Sequence, residues 1–196
     1  MEQYLADELK HVSLSMFRKD FIGIFHGSIS ARVEHNKFLI NKKDAIFDDL
    51  KRSDFIELYS KKDYRWNEAS MDADIHLNIY KNINEAKYVC YAMPPFLTAY
   101  SLAHSSITPK DYFGSVKFDT LPIYDPKLFD DWYERADVEI YRQMKEQKRK
   151  VLIIKGYGVY IYDRDIFQIA KSIALLENSA KLLYYSNGFE TRREFR

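Results

Sequence analysis

Apolar residues in the first twenty positions recur at helical spacing: Leu5, Leu9, Val12 and Met16 share one face and predict an amphipathic helix to about Lys19. Gly23 and Gly27 then punctuate a turn. The period changes to two in Ser28 to Val33 and in Lys37 to Asn41, which flank Glu34-His35-Asn36 and predict a β-hairpin. Asp54 to Tyr59 predicts a further strand. A helix is expected to begin near Ser70, capped by the serine hydroxyl and turning Ile75, Ile79 and Ile83 inward. Ala86 to Met93 is apolar and aromatic, ends at Pro94-Pro95 and reads as a buried strand, after which Phe96 to Ser105 returns to helix.

In the second half, Ser115 to Tyr124 predicts a strand, and Asp125-Pro126 supplies the N-cap and first-turn proline of a helix reaching about Lys145. Val151 to Ile154 and Gly158 to Tyr162 are β-rich runs joined by Lys155-Gly156-Tyr157, either a hairpin or one bent strand. Ile166, Ile169, Ala170, Ile173, Leu176, Ala180 and Leu183 form the clearest helical stripe, with Asn187-Gly188 as its stop and a charged tail, Glu190 to Arg196, beyond. Strands and helices mix without regular βαβ alternation, and no Gly-x-Gly-x-x-Gly is present. The pattern therefore predicts a mixed α/β sandwich, not a doubly wound dinucleotide-binding sheet. Nothing resembling a linker divides residues 1–196, so a single domain is expected.

Charge narrows the partners. With 30 basic and 29 acidic residues the net charge is +1, too little to gather nucleic acid or an anionic membrane; small polar ligands and proteins are left. Met1 to His11 has no uninterrupted apolar run, so neither a secretion signal nor a membrane span is expected, and a cytoplasmic location is. Cys90 is the single cysteine, which excludes an intrachain disulfide and a cysteine-cluster metal site; its apolar neighbours mark it as core. The 16 Tyr and 13 Phe against 6 Gly read as an aromatic-rich core and surface, not as a platform for stacked bases.

Four ordered stretches carry a resemblance to a known family. They are Gly27-Ser28-Ile29-Ser30-Ala31-Arg32 followed by Phe38-Leu39-Ile40-Asn41; Ser70-Met71-Asp72-Ala73-Asp74-Ile75-His76 leading into Ile79-Tyr80; Val89-Cys90-Tyr91-Ala92-Met93-Pro94-Pro95; and Val151-Leu152-Ile153-Ile154-Lys155-Gly156-Tyr157-Gly158-Val159. Together they resemble the class II aldolase/adducin family, whose enzymes include fuculose-phosphate and rhamnulose-phosphate aldolases and ribulose-phosphate epimerase. The resemblance implies a mixed sheet flanked by helices. It also aligns Tyr91, Met93 and Tyr157 with the family's three zinc-binding histidines, and Asp72 with its catalytic glutamate.

Those replacements bear directly on chemistry. A zinc aldolase needs three neutral imidazoles at about 2.0–2.1 Å, leaving open positions where the metal can stabilise an enediolate. Phenols that lose a proton only near about pH 10, and a weak thioether, make a poor zinc set at neutral pH. Asp72 is one methylene shorter than glutamate and, at a helix start, is also what the helix dipole favours on its own account. By the same resemblance Ser28, Asn41 and Ser70 stand in a phosphate cradle, with Met71 in place of a second serine and Asp44 in place of a glycine; Lys42 and Lys43 flank Asp44, although such a run is more often a solvated loop. His26, His76 and His104 have no close histidine neighbour in sequence, and a lone helical histidine is more often structural than a ligand.

The reading that follows is a divergent member without zinc-dependent aldolase activity and without a cofactor, which keeps the fold for protein interaction or small-molecule binding. The alternative is an enzyme on a sugar phosphate or keto acid, through a rebuilt divalent-metal site or without metal, using Asp72, Tyr91 and Tyr157 for proton transfer. The resemblance further implies a homo-oligomer, the family commonly building symmetric tetramers, with the tail Arg192 to Arg196 reaching a neighbour.

Overall fold

The computed structural model describes residues 2–191, and side chains over 4–186. Its centre is an eight-stranded sheet in the order β3-β2-β1-β4-β8-β7-β6-β5. The strands are β1 (Ser28–Glu34), β2 (Lys37–Asn41), β3 (Phe55–Tyr59), β4 (Tyr88–Ala92), β5 (Ser106–Ile107), β6 (Leu121–Tyr124), β7 (Val151–Ile154) and β8 (Gly158–Asp163). Neighbours are antiparallel except β6 and β7, which run parallel. The helices are α1 (Glu2–Phe17), α2 (Ala73–Asn82), α3 (Pro95–Ala103), α4 (Tyr112–Lys117), α5 (Trp132–Glu146) and α6 (Ile166–Thr191).

Strand alternation sorts the sheet's side chains into two cores. Ile29, Ala31, Cys90, Ala92, Val159 and Ile161 point to one face, where α1, α3 and α6 cover them. Val89, Tyr91, Leu152, Ile154, Tyr160 and Tyr162 point to the other, covered by α2 and α5. The helices that do the covering are the ones with apolar stripes, such as Ile166, Ile169, Ile173, Leu176 and Ala180 on α6. One mixed sheet between two helical layers is thus the architecture, and among the described residues no helix is long and apolar enough to cross a membrane.

Several expectations shift. The runs around Lys155-Gly156-Tyr157 form an antiparallel hairpin, with Gly156 at φ +67° and Gly158 at φ +128° turning it. Ser115 to Lys117 is not strand but the end of α4, because Asp111 caps that helix by accepting from the Gly114 amide at 2.9 Å. Strand begins only at Leu121. Asp125 does not cap α5: its carboxylate accepts from the Lys127 amide at 2.9 Å in a local turn, and the helix starts at Trp132. Arg135 holds the intervening loop by donating to the carbonyls of Pro126 and Leu128. Ser70 does not cap α2 either, since that helix begins at Ala73 and the Ser70 hydroxyl accepts from the Asp72 amide at 3.3 Å in the preceding turn. Asn187-Gly188 does not stop α6, which runs on to Thr191. Tail residues 192–196 lie outside the described residues.

Candidate functional site

Where β1, β4 and the β7–β8 turn meet the start of α2, the sheet opens into a cavity of about 380 Å³. Asp72, Tyr91, Tyr157, Asn41, Ser70 and Met93 all line it, although they are scattered over more than a hundred residues of sequence. Ser28 does not line it; it is fully buried beneath, bonded to Asp72. Asp44 is exposed and is not among the lining residues, whereas Lys43 is. Lys42 is paired with Glu68 at 3.2 Å.

Each expected polar residue has work in the scaffold. Asn41 accepts from the Ile29 amide at 2.8 Å and donates to the Lys42 carbonyl at 3.1 Å, so its amide ties β2 to β1. Tyr91 and Tyr157 stack with ring centroids 4.9 Å apart, and the Tyr91 hydroxyl donates to the Tyr157 carbonyl at 2.7 Å. The Tyr157 hydroxyl donates in turn to that of Tyr133 on α5 at 3.0 Å. Tyr160 stacks on Tyr91, again at 4.9 Å. Burial raises the Tyr91 and Tyr157 phenols far above their ordinary range, and the nearby Asp72 carboxylate pushes both further the same way.

That donor chemistry does not fit zinc. A phenol binds the ion well only as phenolate, and these two hold their protons in hydrogen bonds, Tyr91 to the Tyr157 carbonyl and Tyr157 to the Tyr133 hydroxyl. Met93 adds only a thioether at the pocket wall. The histidines do not rebuild the set. His26 lines the cavity, His76 is fully buried on α2, and His104 is exposed at the C-terminal end of α3, stacked on Tyr100. Among the described residues no group of three or more His, Cys, Asp or Glu could hold a metal ion.

Below Asp72 the polar residues continue inward. The Ser28 hydroxyl donates to Asp72 Oδ2 at 2.6 Å and lies 2.9 Å from His76 Nε2. His76 Nδ1 is 2.6 Å from the Ser30 hydroxyl, which is 2.7 Å from the Tyr80 hydroxyl. Burial raises the Asp72 carboxyl, against which the Ser28 hydrogen bond acts, and lowers the His76 imidazole to about 3. The Tyr160 phenol is near enough to favour the Asp72 carboxylate yet lies outside hydrogen-bond geometry. Ser30, Tyr80, Tyr133 and Tyr160 were not among the expected site residues. The first two had a signal: Ser28 and Ser30 share a strand face, and His76 and Tyr80 share a helix face. Tyr133 and Tyr160 had none, since only the tertiary fold brings them near.

The whole frame matches known proteins. The model of the class II aldolase and adducin N-terminal domain matches residues 7–184. An L-fuculose phosphate aldolase of Methanocaldococcus jannaschii is 21% identical over 159 residues, covering 80% of this chain and 82% of that protein. A 3-oxo-tetronate 4-phosphate decarboxylase of Haemophilus influenzae is 24% identical over 182 residues, covering 85% and 80%. The crystal structure of L-fuculose-1-phosphate aldolase from Thermus thermophilus superposes with a TM-score of 0.84 at 21% identity, over 97% of this chain and 96% of that one. With the family match extending over residues 7–184, the chain belongs to the class II aldolase and adducin family.

Proposed function

We propose that this chain binds a small polar metabolite in the Asp72 pocket and does so without the zinc chemistry of an aldolase. The observation that carries this reading is the closed pair of Tyr91 and Tyr157 at the positions where the family's ligands would stand: their rings stack, the Tyr91 hydroxyl donates to the Tyr157 carbonyl and the Tyr157 hydroxyl donates to Tyr133. A phosphorylated sugar or sugar acid is the ligand class it supports. Two of the relatives are named for phosphorylated compounds, and the pocket keeps Ser70, Lys43 and the Gly27 backbone at its lip.

A metal-free enzyme is the second reading, favoured by one observation: Asp72 is a buried carboxyl whose affinity for a proton is raised, as a general acid or base requires. Tyr91 and Tyr157 would then shape the pocket, since phenols raised so far exchange protons poorly near neutrality. The deciding experiment is elemental analysis of protein purified without chelator, paired with calorimetric titration by aldose and aldonate phosphates. Less than a tenth of an equivalent of zinc, manganese or iron, together with saturable binding unaffected by EDTA, is the expected result. A full equivalent of any of these metals overturns the proposal.

Self-association is proposed as well. Tyr112, Phe113 and Val116 stand 75%, 68% and 73% exposed on α4, and α4 packs on α6, which leaves Leu182 exposed. Such a cluster on one short helix supports contact with a second copy.

A further inference from the structure

Ser28 has one hydroxyl proton, and a carboxylate oxygen 2.6 Å away takes it. The 2.9 Å contact between Ser28 Oγ and His76 Nε2 is then attractive only if Nε2 carries a proton and donates. A bare Nε2 would set lone pair against lone pair. His76 is fully buried and neutral, so a protonated Nε2 leaves Nδ1 bare. Ser30, 2.6 Å from Nδ1, must donate to it, and Tyr80, 2.7 Å from Ser30, must donate to Ser30. Counting protons thus gives one direction along the whole chain: Tyr80 to Ser30 to His76 to Ser28 to Asp72.

We propose that His76 is a positioning residue that fixes Ser28 as a donor to Asp72, and so favours the carboxylate form of Asp72, the hydrogen-bond acceptor of the pocket. The group of a ligand that meets Asp72 is accordingly a donor, a hydroxyl or an ammonium, and an anionic group binds elsewhere in the cavity. The surroundings agree with this polarity. The Asp72 carboxylate acts electrostatically on the phenols of Tyr160 on β8, Tyr91 on β4, Tyr157 in the β7–β8 turn and Tyr133 on α5; Lys43 and His26 share its cavity, and none of the ion pairs among the described residues includes it. Ser28 therefore supplies the donor that a buried carboxylate requires.

The inference rests on the reading of this cavity as the binding site only for its use, because its first test needs no ligand. Histidine-labelled protein, examined by two-bond proton–nitrogen correlation at pH 7, should show the Nε2-protonated tautomer for His76, with the signal assigned by its loss in His76→Gln. The Nδ1-protonated tautomer or an imidazolium would overturn the proposal. A second arm follows the Asp72 carboxyl by carbon NMR. Ser28→Ala and His76→Leu should raise its midpoint by about one pH unit, while His76→Gln, whose amide can donate where Nε2 did, should restore it to near the wild-type value. Equal midpoints in all four proteins would show a merely structural histidine and sink the idea. Absence of any metabolite binding with the expected tautomer present would count against the proposed function alone.

Discussion

His76 carries its burial as a pH dependence. Its folded value of about 3 lies below the unfolded value of about 6.5, so between those limits the unfolded chain holds a proton that the folded chain refuses. Stability contributed by this residue is complete above pH 6.5 and declines as the pH falls towards 3, by a few kcal/mol in all. Asp72 works in the opposite sense: its raised carboxyl contributes most at low pH and loses that contribution as the pH rises through its folded value. Urea melts at pH 7 and pH 4.5 should therefore show a smaller loss for His76→Gln than for wild type, since the variant keeps the Asp72 contribution and drops the imidazole's. Gly158 gives a second prediction at this scale. At φ +128° it occupies a region hostile to side chains, and a Cβ there would stand 2.4 Å from the Ala92 carbonyl oxygen. Gly158→Ala should cost about 2 kcal/mol or more in the same melts. The sequence reached Asp72, Tyr91 and Tyr157 because each lies in a recognisable local motif. It read His76 only as a lone helical histidine, more often structural than a ligand, since its partners Ser28 and Ser30 are more than forty positions away.

Elements with a strong repeat were legible: the stripe of α6, the alternation of β1 and β2 and the apolar run of β4 are each nearly where periodicity places them. Elements decided by a cap or a distant contact were not. Ser115 to Lys117 has strand-like composition next to an apolar run, but Asp111 ties down the Gly114 amide and accepts from Ser179 on α6, so a short helix forms instead. Asp111→Ala should weaken the α4–α6 joint by about 1–2 kcal/mol and raise amide exchange over residues 112–117 ahead of the rest of the chain. Asp125-Pro126 has the local chemistry of a helix start, but Arg135 reaches back to the carbonyls of Pro126 and Leu128 and keeps that segment a loop. A guanidinium seven to nine positions downstream leaves no mark in a propensity argument.

At the scale of the molecule, the two sheet faces have different duties. One, under α1, α3 and α6, is an apolar core whose buried polar groups serve the helices, as where Glu177 on α6 accepts from the Phe96 and Leu97 amides at the start of α3. The other, under α2 and α5, accepts buried hydroxyls, an imidazole and a carboxylate beside its aliphatic residues, and the pocket opens from that side. Light scattering at micromolar concentration should give a mass that is a multiple of 23.4 kDa, and Phe113→Glu with Val116→Lys should reduce it to one chain without lowering the melting temperature of the separated chain.

The strands that frame the pocket are neighbours in space only: β1 pairs with β4, and β4 with β8, so Ser28 lies opposite Tyr91 and Tyr91 opposite Tyr160. No fragment of the chain holds the cavity walls by itself, and a compound that occupies the cavity must favour the fully assembled state over every partly unfolded one. Occupancy is thereby converted into heat resistance. A ligand at one hundred times its dissociation constant adds about 2.7 kcal/mol to the native state. A melting-temperature screen of hydroxylated and phosphorylated metabolites is thus a direct way to find what this family member recognises, with no assumption about the reaction it performs.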